Sequence, residues 1–224
     1  MPKNVMVVGT GTIGEPLIGL LAEHKDALGL DNVLFFKRTP LSDEKGKVEA
    51  LLRKGSKIVS SSDALSDFKQ LGFSEIEDVD NAYEDADVII DCTPSGNENW
   101  KSIYSSLDQS KRFMAQGSEH GFGQFFAWGI NNDVLENGSN KYLIASCNTH
   151  NIASIVKTFA LDQGRELVEG QFVCLRRAND VSQNDSFSPS PTITKHSDQE
   201  FGTHHARDVH ELFAQEGKKL NLFS

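Results

Sequence analysis

Short runs of apolar residues recur along the first two thirds of the chain, separated by stretches with helical spacing. Apolar runs at residues 5–8 and 33–36 alternate with helical patterns at residues 17–28 and 48–53, which is the rhythm of βαβ units. Further strands are expected at residues 57–59, 88–91, 113–116 and 142–146, each short and bounded by polar or turn residues. The runs do not alternate polar with apolar, so the sheet they predict is parallel and covered on both faces. After residue 147 the rhythm changes to a helix at 151–161 and a strand at 170–175. A run rich in Ser, Asp and Pro at 179–191 then reads as a loop. The expected architecture is α/β: a Rossmann-type doubly wound parallel sheet over residues 1–146, followed by a partial α+β domain over 147–224.

Composition narrows this picture without redirecting it. A length of 224 residues suffices for one large domain or two smaller ones. A net charge of −10 and the lack of any basic stripe argue against a nucleic-acid partner. No stretch approaches a membrane span, and the chain begins directly on an apolar strand without a charged leader, so no membrane partner and a cytoplasmic setting are expected. Three cysteines without CxxC spacing predict neither a disulfide framework nor a metal site.

The first candidate chemistry is a phosphate-cradling turn. Gly9-Thr10-Gly11-Thr12-Ile13-Gly14 is a GxGxxG between an apolar strand and an apolar helix. In such turns the first glycine permits the tight bend, the second admits a pyrophosphate to the backbone, and the third lets helix and strand pack closely. The second strand ends in Lys37-Arg38-Thr39-Pro40, with no acidic residue at that point. Cationic and hydroxyl groups there accommodate a ribose 2′-phosphate, so NADP is the expected cofactor, with NAD possible. Lys37 and Arg38 also read as solvated charges after a strand.

The second candidate is a thiol. Cys147 follows an apolar strand and precedes a helix, where the helix N-terminus favours negative charge and suits a thiolate nucleophile. Cys92 and Cys174 sit within apolar runs and read as packing residues. His24, His120, His196 and His210 read as structural or solvated.

Taken together and in order, Gly11-Thr12-Ile13-Gly14, Lys37-Arg38-Thr39-Pro40, Glu84-Asp85-Ala86-Asp87, Gln116-Gly117, Ser146-Cys147-Asn148-Thr149, Arg176-Arg177-Ala178 and His204-His205-Ala206-Arg207-Asp208-Val209 resemble archaeal-type glyceraldehyde-3-phosphate dehydrogenase. The resemblance implies that Cys147 attacks the aldehyde of glyceraldehyde 3-phosphate. Hydride then passes to NADP or NAD, and inorganic phosphate releases the thioester as an acyl phosphate. It further implies substrate contacts from Ser146, Asn148, Thr149, Arg176, His204 and His205. Cofactor contacts would come from Thr12, Ile13, Gly117 and Arg177, and the assembly would be a homotetramer. Arginine pairs match phosphate oxygens in forked geometry, which suits Arg176 and Arg177 to this chemistry.

Three departures from that family's pattern stand out. His150 and Asn151 replace a Thr-Gly after the thiol segment, which alters the expected inorganic-phosphate subsite. Ala206-Arg207 replaces a Gly-Pro, and Ser224 reads as a truncation point before the family's general-base histidine, leaving the catalytic domain at 147–224 incomplete. The rival readings are another Cys-dependent semialdehyde or acyl-phosphate reductase, and a catalytically silent NADP-binding fragment.

Overall fold

The computed structural model describes residues 3–117, 119–175 and 197–224. The chain divides into two compact units, Met1–Ala115 and Gln116–Ser224. The sequence reading set its boundary after residue 146. Residues 116–146 instead fold with the second unit, where the Lys157 ammonium donates to the Gly129 carbonyl at 2.6 Å and Asn131 reaches Gln215 at 3.5 Å.

Along the first unit run β1 (Asn4–Val8), α1 (Gly14–Glu23), β2 (Asn32–Phe36), α2 (Lys45–Arg53), β3 (Lys57–Ser60), α3 (Leu65–Gln70), β4 (Ile76–Asp78), α4 (Val79–Asp85), β5 (Val88–Asp91), α5 (Gly96–Ser102) and β6 (Arg112–Gln116). The strands lie parallel in the order β4-β3-β2-β1-β5-β6. The chain moves outward from β1 to β4, then returns to β5 on the other side of β1. That reversal is the switch point at which doubly wound sheets open a crevice beyond their strand ends. Val8 of β1 pairs in register with Phe36 of β2 and Asp91 of β5, so all three strands end level. Gly9, Lys37 and Thr93, just past the three strand ends, therefore line one cavity.

The unalternated runs are explained by cover on both faces. On one face Val5, Val7, Val33, Phe35 and Ile58 are buried together with Ile18 of α1 and Val48 and Leu51 of α2, and on the other Met6, Val8, Leu34, Val59 and Ile89 are buried as well. These residues supply the apolar burial that stabilises the unit. The elements not anticipated, α3, β4, α4 and α5, are three to seven residues long, with too few apolar positions to show a period.

The second unit contains β7 (Gln124–Phe126), β8 (Lys141–Ile144), α6 (Cys147–Ile155), β9 (Gly170–Gln171), β10 (Ser197–Asp198), β11 (Gly202–Thr203), α7 (His204–Ala214) and β12 (Leu222–Phe223). β7 and β8 are parallel, β10 and β11 antiparallel, and β9 parallel with β12. α6 packs on α7, with Ile152 and Ala153 buried on α6 and Ala206, Val209 and Phe213 buried on α7. α6 begins at Cys147 itself, four residues before the expected start, and passes into a π-helical segment at Val156–Leu161. The strand expected at 170–175 pairs only through Gly170–Gln171, so Cys174 is exposed together with Val173 and Leu175, correcting its reading as a packing residue. No helix among the described residues is long and apolar enough to cross a membrane.

Candidate functional site

The glycine turn in the first unit is shaped by close contact. A Cβ on Gly14 would lie 1.9 Å from the Gly9 carbonyl oxygen, so only glycine lets α1 start this near β1. Gly9 has φ +98° and rests against the Thr93 side chain, with a Cβ there 3.0 Å from Thr93 Cγ2. Nothing lies within 4 Å of a Cβ on Gly11, and Gly11, Thr12 and Ile13 are exposed. That open backbone at a helix N-terminus fits the approach of a pyrophosphate. Beside it is a cavity of about 540 Å³ walled by Gly9, Thr10, Lys37, Arg38, Thr39, Thr93 and Asn99 among others.

The two cations at the end of β2 differ sharply. Arg38 and Thr39 are exposed on the cavity, whereas Lys37 is 7% exposed and its ammonium is bonded to Glu44. Glu44 also accepts from Lys47 at 2.5 Å, and Lys47 in turn donates to the Thr10 carbonyl at 3.1 Å. Burial works to raise the Glu44 pKa, but the hydrogen bonds and charges of Lys37 and Lys47 outweigh it and hold the carboxyl below its usual value. An acidic residue thus does face the end of β2. It arrives from the turn before α2, seven residues along the chain, where no strand-end motif shows it.

Sequence reasoning also missed Asp91, the last residue of β5. Its carboxylate is fully buried and accepts four hydrogen bonds: from Thr93 N–H at 2.8 Å, Thr93 Oγ1 at 2.6 Å, Asn99 at 2.7 Å and Tyr104 at 2.8 Å. Thr93 and Asn99 line the cavity, so this buried charge fixes two of its walls. The readable signal is an Asp followed two residues on by Thr at a strand end, which favours an Asx-type turn. We expect Asp91→Asn to set an amide N–H₂ against donors and to cost about 2 kcal/mol of unfolding free energy, measured by urea denaturation. An unchanged midpoint would contradict this role.

In the second unit, Cys147 is exposed and is the first residue of α6. Ser146 is the N-cap: its hydroxyl accepts from Thr149 N–H at 3.3 Å and lies 2.8 Å from Thr149 Oγ1. Thr149 is fully buried, with its side chain engaged by this cap. Asn148 Nδ2 lies 3.3 Å from His205 Nε2, and the rings of His204 and His205 stand 4.0 Å apart at the start of α7. Asn148, His205, Thr203 and Cys174 share a cavity of about 710 Å³ with Phe172 and Phe223. Gly117 also belongs to this unit, its N–H donating to the Ile144 carbonyl at 3.2 Å. Arg176 and Arg177 lie outside the described residues, as do His196 and the polar run at 179–191.

The three thiols differ in access. Burial and the neighbouring Asp91 charge push the Cys92 thiol up to about 12, so the thiolate needed for alkylation is scarce. Iodoacetamide on the folded protein is expected to label Cys147 and Cys174 and to spare Cys92, read by peptide mass spectrometry. Labelling of Cys92 before unfolding would overturn that order.

Arg207, at the departure from the family pattern, is committed to structure. It donates to Asp198 at 3.3 Å and Asp208 at 3.0 Å, tying the β10-β11 hairpin to α7. Asp208 is buried, and that burial raises its pKa despite the adjacent guanidinium. His120, Asp208 and Glu211 bring three possible ligand atoms within 4.8 Å of one another, yet Arg207 already faces both carboxylates. His210 Nδ1 donates to the Leu220 carbonyl oxygen at 2.7 Å, a structural contact.

No family model matches the chain. It is 27% identical over 214 residues to a glyceraldehyde-3-phosphate dehydrogenase of Pyrobaculum calidifontis, and 27% identical over 210 residues to one of Sulfolobus acidocaldarius. A third, from Sulfurisphaera tokodaii, is 27% identical over 215 residues. Each alignment covers 92% of this chain and 57% of the relative, so the chain spans somewhat over half the length of the curated relatives it matches. Along nearly all of its own length, the chain resembles archaeal-type glyceraldehyde-3-phosphate dehydrogenase.

Proposed function

We propose that the chain carries the cofactor-binding and thiol-bearing parts of a cytoplasmic, NADP-preferring, phosphorylating glyceraldehyde-3-phosphate dehydrogenase, active as a homotetramer. The observation that carries this reading is the exposed Cys147 at the first position of a capped helix, with Asn148 turned to His205. In this reading the Cys147 sulfur attacks the aldehyde carbon, forming a C–S bond as the carbonyl electrons move to oxygen. Asn148 and Ser146 hold that oxygen, while His204, His205 and Arg176 hold the substrate phosphate. NADP, when bound, supplies the hydride acceptor. Collapse of the thiohemiacetal oxyanion re-forms the C=O bond as hydride leaves the carbon, which leaves a thioester on Cys147. A phosphate oxygen then attacks that carbon, and the C–S bond breaks to return the thiolate.

On the cofactor side, the residues are Gly9, Gly11, Thr12, Ile13 and Gly14 at the pyrophosphate, with Arg38 and Thr39 at the 2′-phosphate and further contacts from Gly117 and Arg177. Lys37 acts at the 2′-phosphate through its field, because its ammonium is engaged by Glu44. Calorimetry with both cofactors tests the preference. NADP is expected to bind more tightly than NAD by about 1–3 kcal/mol, the worth of hydrogen bonds to charged groups. Equal affinities would sink the preference. Phosphate-dependent reduction of NADP with glyceraldehyde 3-phosphate, but not with aspartate semialdehyde, tests the substrate.

A further inference from the structure

The Glu44 carboxylate has no place in the roles assigned above, yet it sits between the two lysines nearest the cofactor cavity. Lys37, bonded to Oε2, lines that cavity, and Lys47, 2.5 Å from Oε1, reaches the Thr10 carbonyl in the glycine turn. Lys47 has a second, looser acidic neighbour, Glu15, at 3.9 Å. Arg38, next to Lys37, remains exposed on the cavity and makes no ion pair among the described residues. We propose that Glu44 is the specificity-determining residue of this cavity: its carboxylate offsets the lysine charge and limits how strongly the site discriminates a 2′-phosphorylated dinucleotide from an unphosphorylated one. This rests on the cofactor reading of the cavity.

The physical argument concerns sign and reach. A 2′-phosphate bound at Arg38 and Thr39 carries close to two negative charges, whereas a 2′-hydroxyl carries none. Any fixed charge near the end of β2 therefore acts on one cofactor and leaves the other almost untouched. Glu44 opposes the phosphate, and Lys37 and Lys47 favour it. Since the carboxylate lies within one lysine side chain of the cavity wall, its field falls inside the screening length of ordinary buffers, about 10 Å. Its two hydrogen bonds also keep the Lys37 and Lys47 ammonium groups turned toward it. Taking away the negative charge strengthens the field on the phosphate and releases both ammonium groups to approach it.

The test is the ratio of NADP to NAD affinity, measured by calorimetry on the whole chain at low and high salt. Glu44→Gln is expected to raise that ratio about tenfold at low salt, with the gain shrinking as salt rises. Glu44→Asp keeps the charge and is expected to retain the wild-type ratio. Lys47→Gln, a less buried position, is expected to lower the ratio about threefold, and it decides the matter if Glu44→Gln does not fold. A merely structural role for Glu44 would weaken both cofactors in parallel, leaving the ratio unchanged in Glu44→Gln, and this would overturn the inference, as would an unchanged ratio in Lys47→Gln. If the wild-type chain binds neither cofactor, the cofactor reading falls and this inference with it. If it binds them but the ratio ignores Glu44 and Lys47, the inference alone falls.

Discussion

Replacing Cys147 by serine is expected to lower glyceraldehyde 3-phosphate-dependent NADP reduction on the order of 10⁵-fold, the scale at which removing an enzyme's nucleophile acts. A serine hydroxyl at neutral pH is almost wholly protonated, and no adjacent base within the segment Ser146 to Thr149 is available to activate it. The helix itself should survive the change, because the Ser146 cap and its bonds to Thr149 do not involve the thiol. The glycine turn and Arg38 are likewise untouched, so cofactor affinity is expected to stay within about twofold, a difference worth roughly 0.4 kcal/mol. Stopped-flow absorbance of NADPH together with cofactor calorimetry reads both quantities. A serine variant that keeps the wild-type rate would remove Cys147 from the chemistry.

The second large effect concerns Gly14. An alanine methyl there would stand 1.9 Å from the Gly9 carbonyl oxygen and 3.3 Å from Cys92 Cβ. The first neighbour is backbone, held by the turn that connects β1 to α1, so it cannot swing aside as a flexible side chain would. Relief requires α1 to move off the sheet, which opens the packing of Ile18 against Val5, Val33 and Phe35. We expect Gly14→Ala to cost about 3 kcal/mol of stability, at the upper end of what overpacking typically produces. Cofactor binding should weaken in the same variant because the turn is displaced. Gly11→Ala is the contrast, since its Cβ meets nothing within 4 Å. It should retain the fold while losing cofactor affinity. Equal melting temperatures for wild type and Gly14→Ala would contradict the packing account.

What could be read in advance follows the range of the interactions involved. The β1 strand, the glycine turn and α1 were legible because apolar runs and glycine spacing are local signals. Cys147 was legible as a strand-to-helix residue for the same reason. The Glu44 bond to Lys37 was not, because an intervening turn folds the carboxylate back onto the end of β2. The Asp91 network was only half legible: its Thr93 partner is two residues away, but Tyr104 arrives thirteen residues later through α5 and the following turn. Cys174 was misread because an apolar run suggested a covered strand, whereas pairing with β12 ends at Gln171. The helix beginning at His204 went unseen because charged and aromatic residues obscure its buried face of Ala206, Val209, Leu212 and Phe213.

The central claim is that Cys147 forms a thioester as hydride leaves the substrate. Mixing the protein with NADP and glyceraldehyde 3-phosphate in phosphate-free buffer should halt the reaction at that stage, since the step that releases the acyl group lacks its reactant. Rapid acid quench and peptide mass spectrometry should then find the phosphoglyceroyl group on Cys147, in an amount equal to the NADPH formed. NADPH formation with an unmodified Cys147, or with the acyl group on Cys174, would contradict the account.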